Sequence, residues 1–335
     1  MNNFAENIIF TGIQPSGRLT LGNYLGTMKY WKNFQKSSKC YFCIADLHVL
    51  TTSLKDRTYF LKRTILDTLS WYLACGIDYK KNIIFVQSHV PAHSQLYWIL
   101  NCISYYGELS RMTQFKNQVF FKKKNINLGL FGYPVLMASD ILLYQSNLIL
   151  VGQDQKQHLE FTQKIAKRLN SIYGNIFIIP QIFIPIFGKK IMGLQNPLKK
   201  MSKTDKNQKN VIFLEDPVKI SISKIQLSIT DSDNPPRIVY DPQKKPGISN
   251  LLIIGSLLSD QKIEILEKKF LNKTYQQFKD WVSIVLKNFL KKIQNLYLYY
   301  RKDELKLYQI LKNGSKIANN NAQNFLHKIQ KKMNI

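Results

Sequence analysis

The stretch Gly12-Ile13-Gln14-Pro15-Ser16-Gly17-Arg18-Leu19-Thr20-Leu21-Gly22-Asn23-Tyr24 holds the first residues whose types and spacing could do chemistry. The apolar, β-branched run Asn7-Ile8-Ile9-Phe10-Thr11 before it reads as a buried parallel strand. Gly12, Pro15 and Gly17 then enforce a loop, and a helix is expected from Leu19. A strand, a turn and a helix N-terminus present free backbone N–H groups and the positive end of a dipole to a phosphate. Thr20 and Asn23 are three apart and share one helix face, where a hydroxyl and an amide can reach a nucleotide; Gly22 leaves room for a flat base. Read alone, Thr-x-Gly-Asn is equally an ordinary capped helix after a strand.

Three further segments carry polar groups in telling places. Tyr133 to Tyr144 reads as an apolar helix with a single acid, and Tyr133, Met137, Asp140 and Tyr144 fall on one face. A carboxylate there is costly to bury unless something donates a hydrogen bond to it. Met137 and, from the first strand, Phe10 can supply a soft wall suited to an aromatic ring. The plain alternative is a core helix with one paired Asp. Next, Leu148 to Val151 reads as a strand, Gly152 as its turn, and Gln153-Asp154-Gln155-Lys156-Gln157-His158-Leu159-Glu160 as the polar opening of a helix. Asp154 as a cap at that helix start would explain the pattern equally well. Finally, Lys199-Lys200-Met201-Ser202-Lys203-Thr204, between Met192-Gly193-Leu194-Gln195-Asn196-Pro197 and the loose Asp205 to Asn210, is a basic loop that alone could be mere surface.

The elements that must position these groups alternate. A helix is expected from Leu21 to about Gln35, a strand over Cys40 to Ala45 ending in Asp46-Leu47-His48, a helix over Arg57 to Cys75, a strand over Ile83 to Gln87 and a helix over His93 to Ser104. This alternation is doubly wound α/β with a parallel sheet, and its ligand crevice lies outside the carboxyl ends of the strands, near Asp46 and His48. Beyond Asn210 the pattern becomes helical, over Val218 to Ser228, Asn250 to Leu258, Gln261 to Phe270, Tyr275 to Lys292, Leu305 to Lys312 and Ala322 to Met333. A smaller all-helical domain is therefore expected after the sheet domain.

At 335 residues the chain can bury a full core, and no apolar run is long enough to cross a bilayer. Neither a signal peptide nor an Arg-rich presequence is visible, so a cytoplasmic protein is expected. Cys40, Cys43, Cys75 and Cys102 are scattered without a disulfide framework. Cys40 and Cys43 lie in a strand with no second pair to complete a zinc site, and Pro91 argues against a helix aligning His89 with His93, so no metal is expected. The formal net charge of +27 would attract a polyanion over long range. An A/T-rich codon bias, visible in abundant Lys, Asn and Ile, accounts for it equally.

Taken together, Pro15-Ser16-Gly17 with Thr20-x-Gly22-Asn23, Arg111-Met112-Thr113-Gln114-Phe115-Lys116, Gly152-Gln153-Asp154-Gln155-Lys156-Gln157-His158 and Lys200-Met201-Ser202-Lys203-Thr204 resemble the signatures of class I aminoacyl-tRNA synthetases, of the bacterial tryptophan type. The resemblance covers nearly the whole chain. Two positions depart from it: Thr204 stands for the last Ser of Lys-Met-Ser-Lys-Ser, and Gln153 for a Glu common in the family.

The resemblance implies a Rossmann-like catalytic domain over 1–195, the lysine loop over 196–210, an anticodon-reading helical domain over 211–310 and a final helix over 311–335 packing back toward the catalytic domain. It implies ATP, as its Mg2+ complex, as substrate, with no prosthetic group. Gln14, Ser16, Thr20, Gly22, Asn23, Gly152, Asp154, Lys200, Met201, Ser202 and Lys203 would bind the nucleotide, and Lys116, Lys200 and Lys203 would act in catalysis. Phe10, His48, Tyr133, Met137, Asp140, Val151 and Gln155 would hold L-tryptophan, whose indole N–H offers a donor and no acceptor to Asp140. tRNA(Trp) would be the partner and a homodimer the assembly. A tyrosine-specific relative, a non-catalytic RNA-binding paralogue and a small nucleotidyltransferase are the competing readings. Lys156-Gln157-His158 argues against the first, intact Lys200 and Lys203 against the second, and the long helical C-terminal part against the third.

Overall fold

The computed structural model describes residues 7–51, 60–122, 126–152, 155–183 and 190–335. Its strands are β1 Asn7–Ile13, β2 Ser38–Ile44, β3 Ile83–Val86, β4 Leu148–Leu150 and β5 Gln181–Phe183. The helices begin with α1 Leu21–Asn23, which runs through a π-turn, Tyr24–Met28, into α2 Lys29–Phe34. They continue with α3 Leu61–Ala74, α4 Ala92–Cys102, α5 Tyr106–Ser110, α6 Thr113–Lys122, α7 Leu128–Leu142 and α8 Lys156–Tyr173. Then come α9 Val218–Gln226, α10 Pro246–Ser259, α11 Ile263–Lys269, α12 Tyr275–Arg301 and α13 Glu304–Met333. By its contacts the chain forms two units. The first takes the residues through Ser16, Trp31–Phe183 and Tyr300 onward; the second takes Gly17–Tyr30 and the chain from 190 to Tyr299.

The first unit is built on a five-stranded sheet of order β3-β2-β1-β4-β5 with every pair parallel. β3, and β2 from Cys40 onward, are apolar without alternation because both of their faces are covered. The strand order reverses between β1 and β4, so Gln14 and Val151, just beyond their carboxyl ends, flank the position where such sheets take ligands. Trp31 is buried between Phe42, with ring centroids 5.4 Å apart, and Tyr72, edge-on at 5.2 Å.

The chain reads as two helices after Arg301, over 305–312 and 322–333, but α13 is one helix of 30 residues. Gly314, Ser315 and Asn319 to Asn321 dilute its apolar stripe and lower its helix propensity. The stripe nevertheless continues in small residues: Gly314, Ala318 and Ala322 lead into Phe325, Leu326 and Ile329, all buried. A Cβ on Gly314 would stand 1.8 Å from the Ile84 carbonyl oxygen, so the helix backbone rests directly on β3, the edge strand of the sheet. Tertiary contact here overrides local propensity.

The second unit is helical apart from two short antiparallel pairings, Thr20 with Phe213 and Met192 with Lys200. α10 is buried nearly all round, through Ile248, Leu251, Leu252 and Ile254. α12 turns Phe278, Val282, Leu286, Leu290 and Ile293 inward at helical spacing. Before α10, Lys245 pairs with Asp231 at 3.1 Å and with Asp233, tying down the connecting loop.

Candidate functional site

In the second unit, Leu19 to Leu21 is held against the chain at 212–214: the Leu21 N–H donates to the Ile212 carbonyl and the Leu214 N–H to the Leu19 carbonyl, both at 2.8 Å. Thr20 is the N-cap of α1. Its hydroxyl accepts from the Asn23 N–H at 3.1 Å, and Asn23 Oδ1 accepts from the Thr20 N–H at 2.9 Å. This reciprocal box satisfies the helix start internally. The expected row of free amides is therefore largely used within the protein, and Thr20 is buried while Asn23 is exposed.

Gly22 brings the two signatures together. A Cβ there would stand 3.7 Å from Ile191 Cβ and 3.8 Å from Met201 Cβ, so α1 lies against the ribbon that carries the lysines. In that ribbon the Met201 N–H donates to the Ile191 carbonyl at 2.9 Å and the Gly193 N–H to the Lys199 carbonyl at 2.8 Å. Asn250 on α10 grips Met192 from both sides, accepting from its N–H at 2.9 Å and donating to its carbonyl at 3.0 Å. Met201 is buried, whereas Lys200, Ser202, Lys203 and Thr204 are exposed. A buried anchor with its lysines outside suits a loop that meets an anion in solvent. Arg18 lies over the Phe213 ring at 4.0 Å and pairs with Glu215 and with Asp216, the latter at 2.5 Å, bracing the same segment.

In the first unit, Gln14 donates from Nε2 to the His48 carbonyl at 2.8 Å, which stitches the end of β1 to the turn after β2. Ser16 turns back onto Gln14 through its N–H at 2.8 Å. Asp46 is buried and accepts from the Ser88 N–H at 2.9 Å, a structural duty.

Asp140 on α7 is 3% exposed and surrounded by donors: Gln87 Nε2 at 2.6 Å and His93 Nδ1 at 2.7 Å on Oδ1, and His48 Nε2 at 2.9 Å on Oδ2. Burial alone would push this carboxyl up. The hydrogen bonds and attraction of His48 and His93 outweigh burial and hold it well below the usual carboxylate range. Tyr144 lies just past the end of α7, with its hydroxyl 2.8 Å from His93 Nε2; Phe10 stacks on it at 5.8 Å and Tyr41 at 4.4 Å.

A second network runs beside the first. The Tyr133 hydroxyl lies 3.1 Å from Gln114 Oε1 and 2.8 Å from His158 Nε2, and His158 Nδ1 lies 3.0 Å from Gln155 Oε1. The edge-on contact of His48 with Tyr133, at 6.4 Å, joins the two networks. Burial raises the Tyr133 hydroxyl above its ordinary value, so it remains a donor. Met137, Val151, Gly152 and Gln155 are half-buried around these groups, and Lys116 is exposed on α6. Asp154 and Gln153 lie outside the described residues.

Cys40 and Cys43 are both buried in β2, and burial pushes the Cys40 thiol up to about 12. Among the described residues no group of three or more His, Cys, Asp or Glu could hold a metal ion.

Sequence reasoning missed Gln87, His93, Gln114 and His158 as members of these networks. Gln87 stands at a strand's carboxyl end, a position that could have marked it. The sequence marks His93 only as a possible metal ligand, whereas in the fold it faces a carboxylate.

Residues 2–291 match the model of the family described as tRNA synthetases class I (W and Y). A tryptophan–tRNA ligase of Buchnera aphidicola subsp. Schizaphis graminum is 54% identical over 328 residues, covering 97% of this chain and 97% of that protein. The crystal structure of tryptophanyl-tRNA synthetase from Mycoplasma pneumoniae superposes with a TM-score of 0.91 at 33% identity, covering 99% of this chain and 98% of that one. The Campylobacter jejuni tryptophanyl-tRNA synthetase, complexed with ADP and tryptophan, gives a TM-score of 0.80 at 30% identity, covering 98% and 100%. With a capped helix start packed on a lysine-bearing ribbon and an ionised carboxylate at the head of a parallel sheet, these matches leave one conclusion: the chain belongs to the class I tRNA synthetases of the tryptophan and tyrosine family.

Proposed function

We propose that this chain activates L-tryptophan with ATP and transfers it to tRNA(Trp). In the first step a tryptophan carboxylate oxygen attacks the α-phosphorus of ATP. The bond from that phosphorus to the bridging oxygen breaks, and pyrophosphate leaves with the negative charge. In the second step the hydroxyl of the terminal adenosine of tRNA attacks the activated carbonyl, and AMP departs. No protein nucleophile is needed; positioning and charge stabilisation are the protein's contribution.

The observation that carries this reading is the packing of Gly22 against Met201, which sets the two nucleotide signatures side by side within one unit. We assign the adenine to the Gly22 surface, with the exposed Asn23 amide in reach and Thr20 fixing the helix start. Gln14, Ser16, Gly152 and Asp154 complete the nucleotide contacts. Lys200 and Lys203, with Ser202 beside them, receive the departing phosphates together with Lys116, and Mg2+ arrives as part of the ATP complex. Asp140 accepts from the indole N–H, and Phe10, Met137 and Val151 wall the ring. Tyr133 and Gln155 hold the α-substituents, with His48 fastening Asp140.

Selectivity against phenylalanine follows from losing the indole hydrogen bond to Asp140 Oδ2, a bond to a charged group worth about 1.5–3 kcal/mol. We assign anticodon reading to the helices within 211–310. We propose a homodimer, and offer Trp98, Tyr106 and Leu128, large apolar side chains exposed on α4, α5 and α7, as candidates for its interface. Among the described residues no helix is long and apolar enough to cross a membrane, and we place the enzyme with its tRNA in the cytoplasm.

The test is amino-acid-dependent exchange of labelled pyrophosphate into ATP, run with tryptophan, tyrosine and phenylalanine. Exchange with tryptophan alone is expected; exchange with tyrosine would move the assignment to the sister specificity. Sedimentation at micromolar concentration checks the dimer.

A further inference from the structure

Among the described residues, Asp140 accepts three hydrogen bonds: two on Oδ1, from Gln87 and His93, and one on Oδ2, from His48. An ionised carboxylate offers about four lone-pair positions. A further donor can therefore be added at Oδ2, and Oδ1 is already saturated. We propose that His93 and Gln87 are positioning residues that saturate Oδ1 and so present Oδ2 alone to the indole N–H, with Tyr144 selecting the His93 tautomer that makes this possible. The inference rests on the reading of Asp140 as the indole acceptor.

Each donor is itself fixed from behind. Gln87 is fully buried and its Oε1 accepts from the Leu47 N–H at 3.1 Å, so its amide nitrogen must face Asp140. His93 is fully buried as well. Its Nε2 meets the Tyr144 hydroxyl at 2.8 Å, and that ring is packed by Phe10, Tyr41 and Phe85. Burial raises the Tyr144 hydroxyl well above its ordinary value, so it keeps its proton and can donate. With Nε2 accepting, the imidazole proton sits on Nδ1, where Asp140 needs it. Ser139 Oγ donates to the His93 carbonyl at 2.7 Å, which fastens the start of α4 to α7.

The test compares tryptophan with benzothienylalanine, in which sulfur replaces the indole N–H, in pyrophosphate exchange. The readout is the ratio of the two kcat/KM values measured on one preparation, which is independent of how much protein is folded. His93→Asn keeps an amide nitrogen near the place of Nδ1, whereas His93→Gln moves its polar atoms out toward Tyr144 and withdraws that donor. We expect the ratio to fall about tenfold or more in His93→Gln, chiefly through the KM for tryptophan, and to stay near wild type in His93→Asn. Tyr144→Phe should lower it by a smaller factor. A ratio unchanged in His93→Gln, while Asp140→Ala abolishes it, would overturn the positioning role and leave the indole reading intact. A wild-type enzyme that does not discriminate at all would overturn the indole reading itself, and the inference with it.

Discussion

Replacing Gly22 by Ala separates what the fold needs at this position from what the ligand needs. An added Cβ would stand 3.4 Å from Thr20 Oγ1, 3.7 Å from Ile191 Cβ and 3.8 Å from Met201 Cβ. The last two are ordinary van der Waals contacts, and the first asks Thr20 to give by a few tenths of an ångström at most. Against this small cost stands the helix preference of Ala over Gly, about 0.5–1 kcal/mol in a helix interior and less in a first turn. The terms nearly cancel, so Tm should stay within about 2 °C of wild type. A base lying on the Gly22 backbone would be lifted by the methyl group, however. Losing about 1.4–2.8 kcal/mol of nucleotide contact corresponds to a ten- to hundredfold rise in the KM for ATP. The assay is pyrophosphate exchange with ATP varied at saturating tryptophan, alongside a thermal melt. An ATP KM within twofold of wild type, in a variant of unchanged Tm, would refute the placement of adenine on Gly22. A large fall in Tm would instead show that the packing against Met201 is tighter than its distances imply.

Gly314→Ala puts a Cβ 1.8 Å from the Ile84 carbonyl oxygen, backbone that cannot turn away; we expect a loss of about 1–3 kcal/mol, read as a lowered Tm, and an unaltered Tm would contradict the close approach. Lys200→Ala with Lys203→Ala should slow adenylate formation by about 10²–10³-fold while tryptophan binding, followed by fluorescence titration, is largely kept; unchanged adenylate formation would remove the lysines from the mechanism. The Asp140 carboxyl is held below its unfolded value of about 3.9, so the stability it contributes is fully present above that pH and is lost as pH falls through the folded value. Melts of wild type and Asp140→Asn should therefore differ most at neutral pH and converge on acidification below about pH 4, and a gap constant with pH would count against an ionised Asp140.

What local pattern could reveal, and what it could not, divides along the chain. β2 and β3 were legible because strands covered on both faces show an unbroken apolar run. Asp140 was legible because a lone acid in an apolar helix demands donors. The identity of those donors was not, since Gln87 and His93 reach it only through the crossing of α4 and α7 with the end of β3. Thr20 and Asn23 showed the opposite difficulty. The spacing that offers two side chains to a nucleotide also makes a capping box, and the structure uses Thr20 for the cap. Nor does chain order disclose that Gly17–Tyr30 keeps company with the chain beyond 190. That pairing depends on backbone bonds from Leu19 and Leu21 to residues 212–214, which leave no trace in periodicity. α13 was split in reading because Gly and Asn weigh against a helix locally, while their smallness is what lets it approach the sheet.

The seating of α13 on β3 also sets a timetable. Ile84 leaves the ribosome long before Gly314 exists, and synthesis proceeds at about 5–20 residues per second, a wait on the order of 10 s or more. Throughout that wait the outer edge of β3 offers unpaired backbone groups to any passing strand. The nascent sheet is thus assembled from its middle and left unfinished at one margin until the last helix is made, so premature termination before α13 should release a chain prone to edge-to-edge association rather than a smaller, self-sufficient nucleotide-binding module.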